Sequence, residues 1–375
     1  MNGMPCRFEG DMREILTLHD AFAFPGGGEK VATLLARDLG ADLWTAEYAP
    51  GAFEPGYFGD APPHDLGALA AHPLAAKFSK TLALMRAFAG FPPSRARAAV
   101  FSGSLALMAQ ARIDAYKIHY CHTPPRILYD QRDFYLSRVR PAKRPLYRAF
   151  LAYYERAFTK ALAAMDVIAA NSVNVQKRLK DFLGADSEIV HPPCETGKFS
   201  FLGQEDFYLS TARVDGLKRV DVIVEAFAAM PEKKLVVVSG GSELERVKAR
   251  AETLPNVTIL GWVDGETLTR LIGTCIAAIY IPRDEDFGIS PVEAMAAGKP
   301  VIGVAEGGLL ETVVHDETGV LLPPDPKPED AARAVNALTP QAALAMRQAC
   351  ERRAARFDVK IFLRKMRDLI EMAPK

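Results

Sequence analysis

"FYLSTARVDGLKRVDVIVEAFAAMPEKKLVVVSG" (207–240) holds two apolar runs separated by an apolar-periodic segment. "FYLST" (207–211) and "KLVVVSG" (234–240) read as strands, and about 219–229 reads as the helix joining them. Strands that are apolar throughout are those covered on both faces, as in a parallel sheet flanked by crossover helices. The grammar continues downstream. "NVTILG" (256–261), "CIAAIYI" (275–281), "KPVIGV" (299–304) and "GVLLPP" (319–324) are further strands, with helical periodicity over 243–253 and 265–273. Asn, Gly or Pro marks many junctions. The second half predicts a doubly wound α/β domain.

Working outward, the first half repeats the pattern. "EILTLHD" (14–20) is followed by a Gly-rich turn and helix, "GGGEKVATLLARDLG" (26–40), and "ADLWTAEY" (41–48) opens the next unit. "RAAVFSG" (97–103), "AYKIHYCHT" (115–123), "MDVIAANS" (165–172) and "SEIVHPP" (187–193) read as later strands, around a long aromatic and basic helical region over 123–165. "HPPCETGKFSFLGQED" (191–206) is the natural linker, and 341–372 is helical. The prediction is two Rossmann-like αβα domains, 1–196 and 197–355, facing across a cleft, with 356–375 a helix returning to the first. Ligands of such sheets sit outside the strand carboxyl ends.

The chain has 375 residues, 46 basic and 46 acidic, with 49% hydrophobic and 25% charged residues, values of a globular protein. The zero sum hides a distribution, because window 66–160 holds 16 Lys or Arg against four acidic residues. In 77–97 and 126–160, Leu82, Leu84, Met85, Phe88 and Phe91 interleave with Lys77, Lys80 and Arg86, and Phe150, Tyr153 and Tyr154 with Arg148 and Arg156. That pattern predicts helices lying on an anionic membrane surface. Five cysteines (Cys6, Cys121, Cys194, Cys275, Cys350) without a CxxC pair fit a reducing cytoplasm. Asp11 and Glu14 interrupt any signal-peptide pattern, and no run approaches about eighteen uncharged apolar residues.

"EDFGISPVEAMAAGKPVI" (285–302) is the most specific motif. Ser290 and Pro291 suit a helix start, which places Glu285 in the loop before it and Glu293 about one turn inside. Backbone N–H groups around Gly288 and Ile289 suit an anion. Glu293 alone is also what a helix dipole favours in a first turn. In "TARVDGLKRVD" (211–221), Arg213 and Lys218 stand at a strand-to-helix crossover, where two cations suit a diphosphate. "PGGGEKV" (25–31) and "SGGSE" (239–243) are Gly-rich but match neither GxGxxG nor a P-loop. In "IHYCHTPPRILYD" (118–130), His119 reads as structural and His122 as loop-placed. No His/Asp/Glu cluster has metal-ligand spacing, so no protein-held metal is expected.

These motifs, with "AANS" (169–172), "HPPCETGKF" (191–199) and "GWVD" (261–264), give the chain a resemblance to the retaining glycosyltransferase family four of GT-B fold. The resemblance implies a hexosyltransferase using a nucleotide sugar, with a first domain for the acceptor and a second for the donor. It carries over, position by position, to Gly27 and Gly28 for the donor phosphate, and to Arg213 and Lys218 for the diphosphate. Glu285, beside the Phe287-Gly288-Ile289 backbone, matches the sugar-binding acid, and Glu293 the ribose-binding one. His122 matches the histidine near the transferred sugar; Gly240 and Val263 complete the donor set. Ala212-Arg213 and Gly216-Leu217-Lys218 depart from the family's usual Gly-Arg and Pro-x-Lys without losing a charge. Transfer with retention is implied by a same-face route, in which the leaving phosphate helps deprotonate the acceptor. The "HTPPR" variant is most similar to GDP-mannose-dependent mannosyltransferases of O-antigen or exopolysaccharide assembly. That implies GDP-mannose as donor, a polyprenyl-diphosphate-linked saccharide as acceptor, and a cytoplasmic place at the inner membrane face. No nucleic-acid partner is expected. No residue selects guanine over uracil, so a UDP-sugar enzyme with another lipid or small-molecule acceptor stays open. So does a non-enzymatic nucleotide-sugar binding module.

Overall fold

The computed structural model describes residues 14–24, 26–54, 56–59 and 62–374, with the side chains of 76–78 outside the description. Cys6, Asp11, Pro25 and the Lys77 side chain therefore lie outside the described residues. The chain divides into two units. One takes the described residues up to Asn171, then Val175–Val190 and the chain from Leu363 on; the other takes Ser172–Asn174 and His191–Phe362.

In the first unit, β1 (Ile15–His19), β2 (Asp42–Thr45), β3 (His64–Asp65), β4 (Ser94–Ser102), β5 (Ile113–Cys121), β6 (Val167–Ala170) and β7 (Glu188–Ile189) form a parallel sheet ordered β3-β2-β1-β4-β5-β6-β7. The second unit orders β8 (Tyr208–Ser210), β9 (Leu235–Val238), β10 (Val257–Gly261), β11 (Ala278–Ile279), β12 (Val301–Val304) and β13 (Gly319–Leu322) as β10-β9-β8-β11-β12-β13, again parallel. In each sheet the order reverses beside the first strand, at β1/β4 and at β8/β11, which is where a doubly wound sheet opens for ligands. Two Rossmann-like domains are the fold class read from the sequence; the units divide at Val190/His191 and Phe362/Leu363, where 196/197 and 355/356 were expected.

The apolar strand pattern has its expected cause. All of β12 is buried, and residues 275–281 are buried although only Ala278 and Ile279 keep ladder pairing. The edge strand β3 carries no apolar run and escapes the sequence reading. The helical tail resolves into Pro340–Ala345, Arg347–Ala355 and Val359–Glu371. In its last stretch Lys365 Nζ donates to the Ile189 carbonyl at 3.0 Å, and Arg367 reaches Asp38 at 2.6 Å.

One expectation is corrected. The helix Lys80–Ala89 is not a lipid-facing helix: Leu84, Met85, Phe88 and, just beyond it, Phe91 are buried in the first unit's core with Leu16, Phe101 and Leu107. Lys80 pairs with Glu47 at 2.5 Å. Phe150 and Tyr154 are buried as well, and Tyr153 alone of that trio is exposed. Periodicity reports an apolar face; it does not say whether protein or lipid covers it. Phe88→Ala should therefore destabilise the chain by about 3–5 kcal/mol. The measurement is equilibrium unfolding in urea, where an unchanged midpoint would contradict this packing.

Candidate functional site

In the second unit the turn after β8 delivers Lys218 just ahead of the helix Val220–Ala228. Lys218 Nζ pairs with the Glu285 carboxylate and donates to the Tyr280 hydroxyl at 3.2 Å. Both charged side chains are less than one-fifth exposed, at 18% and 19%. Burial alone would lower the Lys218 pKa, but Tyr280 and Glu285 outweigh it and hold the ammonium above its ordinary range. Burial pushes the Tyr280 hydroxyl up, so it stays neutral. The cluster is a cation already stripped of much of its water and balanced by one carboxylate, the state from which a phosphate oxygen is bound with little further desolvation.

Arg213 is half exposed and bound elsewhere, to Asp215 at 2.8 Å. The neighbouring Arg219 is the structural cation. Its φ is 52°, and its buried guanidinium donates to the Ile281 and Pro282 carbonyls and to Glu306 and Asp325. Nothing in "GLKR" separates the two roles beforehand.

The Glu285 loop rests on "EGG" (306–308), a segment the sequence reading passed over. Gly308 N–H donates to the Glu285 carbonyl at 2.8 Å, and Asn174 Nδ2 donates to the same oxygen at 3.0 Å. A Cβ on Gly307 (φ 55°) would lie 2.3 Å from that carbonyl, and one on Gly308 2.4 Å from the Asp286 carbonyl. Glu306 accepts from the Asp284 and Asp325 N–H groups, closing the base of the loop. A paired glycine just past a strand was the available signal.

Beyond the loop, Gly288 caps the helix Ile289–Ala296 at φ 89°. The first N–H groups of that helix have no intrahelical acceptor and lie at its positive end. The Phe287 side chain is buried against His191 and Phe357, each ring centroid 5.3 Å away, so this stretch offers a ligand its backbone. Glu293 is half-buried within the helix. Gly240 has a packing reason of its own: a Cβ there would come 2.2 Å from Nε1 of the exposed Trp262. Val263 packs against the small core around Phe207 and Leu271.

In the first unit the carboxyl ends of β1, β4 and β5 bring together His19, Ser102 and His122. His19 Nδ1 lies 2.9 Å from the Ser102 carbonyl oxygen, and Ser102 Oγ lies 2.8 Å from His122 Nε2. Gly28, the second residue of the helix Gly27–Leu39, sits above both rings; a Cβ would lie 3.3 Å from His19 and 3.7 Å from His122. Asp20 accepts from the backbone N–H groups of Ser104, Leu105 and Ala106, and a Cβ on Gly103 (φ 113°) would strike its carboxyl. Sequence reasoning found His122 and Gly28 but not His19, Ser102 or Asp20. Burial lowers His19 and His119 to about 4. Burial, with His19 and His119 nearby, lowers His122 to about 3. Asp20 is pushed up to about 6 by burial, against the three N–H groups that pull it down. Among the described residues no group of three or more His, Cys, Asp or Glu is placed to hold a metal ion.

Residues 196–357, inside the second unit, match the family described as "Glycosyl transferases group 1". The alpha-1,3/1,6-mannosyltransferase ALG2 of Homo sapiens is 28% identical over 244 residues, 56% of this chain and 56% of that protein. The chain thus spans little more than half the length of the curated relatives it matches. HepE of Anabaena, solved in complex with UDP and glucose, is similar with a TM-score of 0.72 at 17% identity, covering 96% of this chain and 99% of that one. Sucrose-phosphate synthase from Thermosynechococcus elongatus matches with a TM-score of 0.72 at 19% identity, covering 96% and 98%. The fold is GT-B. The narrower resemblance, to GDP-mannose-dependent enzymes of O-antigen or exopolysaccharide assembly, is overturned: HepE, matched over nearly its whole length, holds UDP and glucose. The motif "HTPPR" lies in the first unit, outside the segment that the family matches.

The buried histidines set the acid behaviour. Their folded pKa values lie below the ordinary 6.5, so the stability they represent is complete above about pH 6.5 and is lost as pH falls towards 4. Asp20 works the other way, its contribution present below its ordinary value of 3.8 and lost as pH rises through about 6. Three histidines outweigh one aspartate, so urea midpoints should fall steadily from pH 6.5 to 4. His119→Phe should flatten that slope by about one proton, ~1.4 kcal/mol per pH unit; an unaltered slope would contradict its neutral burial.

Proposed function

We propose that the chain is a nucleotide-sugar-dependent glycosyltransferase that moves a hexose from a UDP-sugar to a glycan or lipid-linked acceptor in surface polysaccharide synthesis. The observation that carries this reading is the Lys218–Glu285–Tyr280 cluster, built at the carboxyl end of the second sheet within the matched segment. The UDP and glucose of the HepE structure favour uridine as the donor base.

The residue roles are those the family resemblance implies, and the Lys218–Glu285–Tyr280 cluster supports the first of them. The donor diphosphate takes Lys218 and Arg213 as counter-cations, exchanging their carboxylate partners for phosphate oxygens. The N–H groups at the start of the helix Ile289–Ala296 add a fixed positive potential. As the bond from the anomeric carbon to the diphosphate breaks, charge grows on the leaving oxygen, and these groups stabilise it most at that point. Glu285, freed from Lys218, hydrogen-bonds sugar hydroxyls, and Glu293 holds the ribose. The acceptor oxygen bonds to the anomeric carbon, and its proton goes to the departing phosphate. The same resemblance gives Gly27 and Gly28 the donor phosphate, His122 the transferred sugar, and Gly240 and Val263 the rest of the donor set.

Turnover of UDP-glucose, UDP-galactose, UDP-N-acetylglucosamine and GDP-mannose with a lipid extract tests the donor. Release of UDP with label transfer is expected; turnover of GDP-mannose alone would overturn the uridine reading, and binding without turnover would make the chain a binding module. Glu293→Ala should raise the donor KM about ten-fold or more with a smaller change in kcat, and an unchanged KM would remove it from the ribose.

The acceptor side includes an anionic membrane surface. Segment 132–160 carries eight Lys or Arg against Asp133 and Glu155. Phe134, Tyr135, Leu146 and Tyr153 are exposed there among the exposed Arg138, Arg140, Lys143, Arg148 and Arg156. Apolar side chains ringed by cations match an anionic headgroup layer. No helix among the described residues is long and apolar enough to cross a membrane. Arg140, Lys143 and Arg148 changed together to Glu should cut binding to phosphatidylglycerol vesicles at low salt several-fold. Undiminished binding would reject this surface.

A further inference from the structure

Ser102 is fully buried at the end of β4 and has one hydroxyl proton to place. His19 Nδ1 lies 2.9 Å from the Ser102 carbonyl oxygen, an atom that only accepts, so Nδ1 of His19 carries the proton. The same N–H approaches Ser102 Oγ at 3.2 Å, which makes that oxygen an acceptor towards His19. Its own proton then points to His122 Nε2, 2.8 Å away. The reverse arrangement, with His122 Nε2–H donating, leaves the buried Ser102 proton without an acceptor among the described residues. A neutral imidazole whose Nε2 accepts carries its proton on Nδ1, and Nδ1 of His122 makes no hydrogen bond among the described residues. His119 is an internal parallel: its Nδ1 donates to the Phe101 carbonyl at 3.1 Å, and its buried Nε2 has no partner, as befits a bare lone pair.

We infer that His19 and Ser102 are positioning residues that lock His122 as its Nδ1–H tautomer, so that His122 offers the donor sugar a hydrogen-bond donor and not a base. The ligand role rests on the transferase reading above; the tautomer does not. The chain runs His19 Nδ1–H to Ser102, then Ser102 O–H to His122 Nε2, and it ends in one N–H that calls for a lone-pair acceptor. Gly28 packs over the same device, since a Cβ there would press on the His19 ring at 3.3 Å and touch the His122 ring at 3.7 Å.

The test is nitrogen-15 spectroscopy of the full chain labelled at histidine, near pH 7.5, with His122→Gln assigning the signal. His122 is expected to show an N–H-type Nδ1 and a bare Nε2; an N–H-type Nε2 overturns the inference. Ser102→Ala should release His122 towards the Nε2–H form common in water, and Ser102→Thr, which keeps the hydroxyl, should restore the wild-type pattern. If Ser102→Ala leaves the pattern untouched while circular dichroism reports a folded chain, the relay is refuted. The wild-type spectrum decides the tautomer even if that variant fails to fold. With UDP-glucose bound, the His122 Nδ1–H resonance should move; a shift with UDP as well places a phosphate oxygen on it, and a shift with UDP-glucose alone places a sugar oxygen. A donor that binds without moving the resonance overturns the ligand role. In turnover, Ser102→Ala should lose about ten-fold in kcat and Thr should recover it. An Nδ1–H spectrum in a chain that turns over no nucleotide sugar would sink the transferase reading and leave the tautomer standing.

Discussion

A parallel sheet sends every strand carboxyl end to the same edge, and the chain must leave that edge through a loop before the next helix begins. At the point where the strand order reverses, two adjacent loops depart to opposite faces and open a crevice. Each unit of this protein obeys that constraint. In the second, loops after β8 and β11 carry Lys218 and Glu285; in the first, the ends of β1, β4 and β5 carry His19, Ser102 and His122. The chemistry is placed by topology first and by side-chain choice second.

Side-chain choice then works against solvation. Lys218, Glu285, Arg219, the buried His19 and His119 and the half-buried His122 are all groups that water would hold more comfortably, and each is balanced differently. Arg219 is surrounded by fixed carbonyls and carboxylates and is spent on holding the loop base together. Lys218 has one carboxylate and one hydroxyl, partners that an anionic ligand can replace. The histidines are kept neutral, so burial there favours hydrogen bonding over charge. The same residue types therefore serve architecture or ligand according to whether their partners can be exchanged.

The strands were legible because a doubly covered strand is written as an uninterrupted apolar run, and "KLVVVSG" or "KPVIGV" admits little else. Lys218, Glu285 and His122 were legible because charged or polar residues stood at run ends. The rest was hidden for physical reasons. His19 looks like one more residue of a strand until Ser102 is brought beside it, 83 positions later. Gly307 and Gly308 matter through a backbone approach that no local pattern records. The helix Lys80–Ala89 has the amphipathic period of a membrane helix, and its partner, the core around Phe101, is not local in sequence.

The chain from Leu363 on belongs to the unit in which the chain began, tied to it through Lys365 and Arg367. Synthesis runs from the other end. The second unit, closing at Phe362, has all of its sequence before the first unit has received its last helix. The order of completion is thus the reverse of the order of starting. A chain arrested short of Leu363 holds all of the second unit and still lacks the last helix of the first.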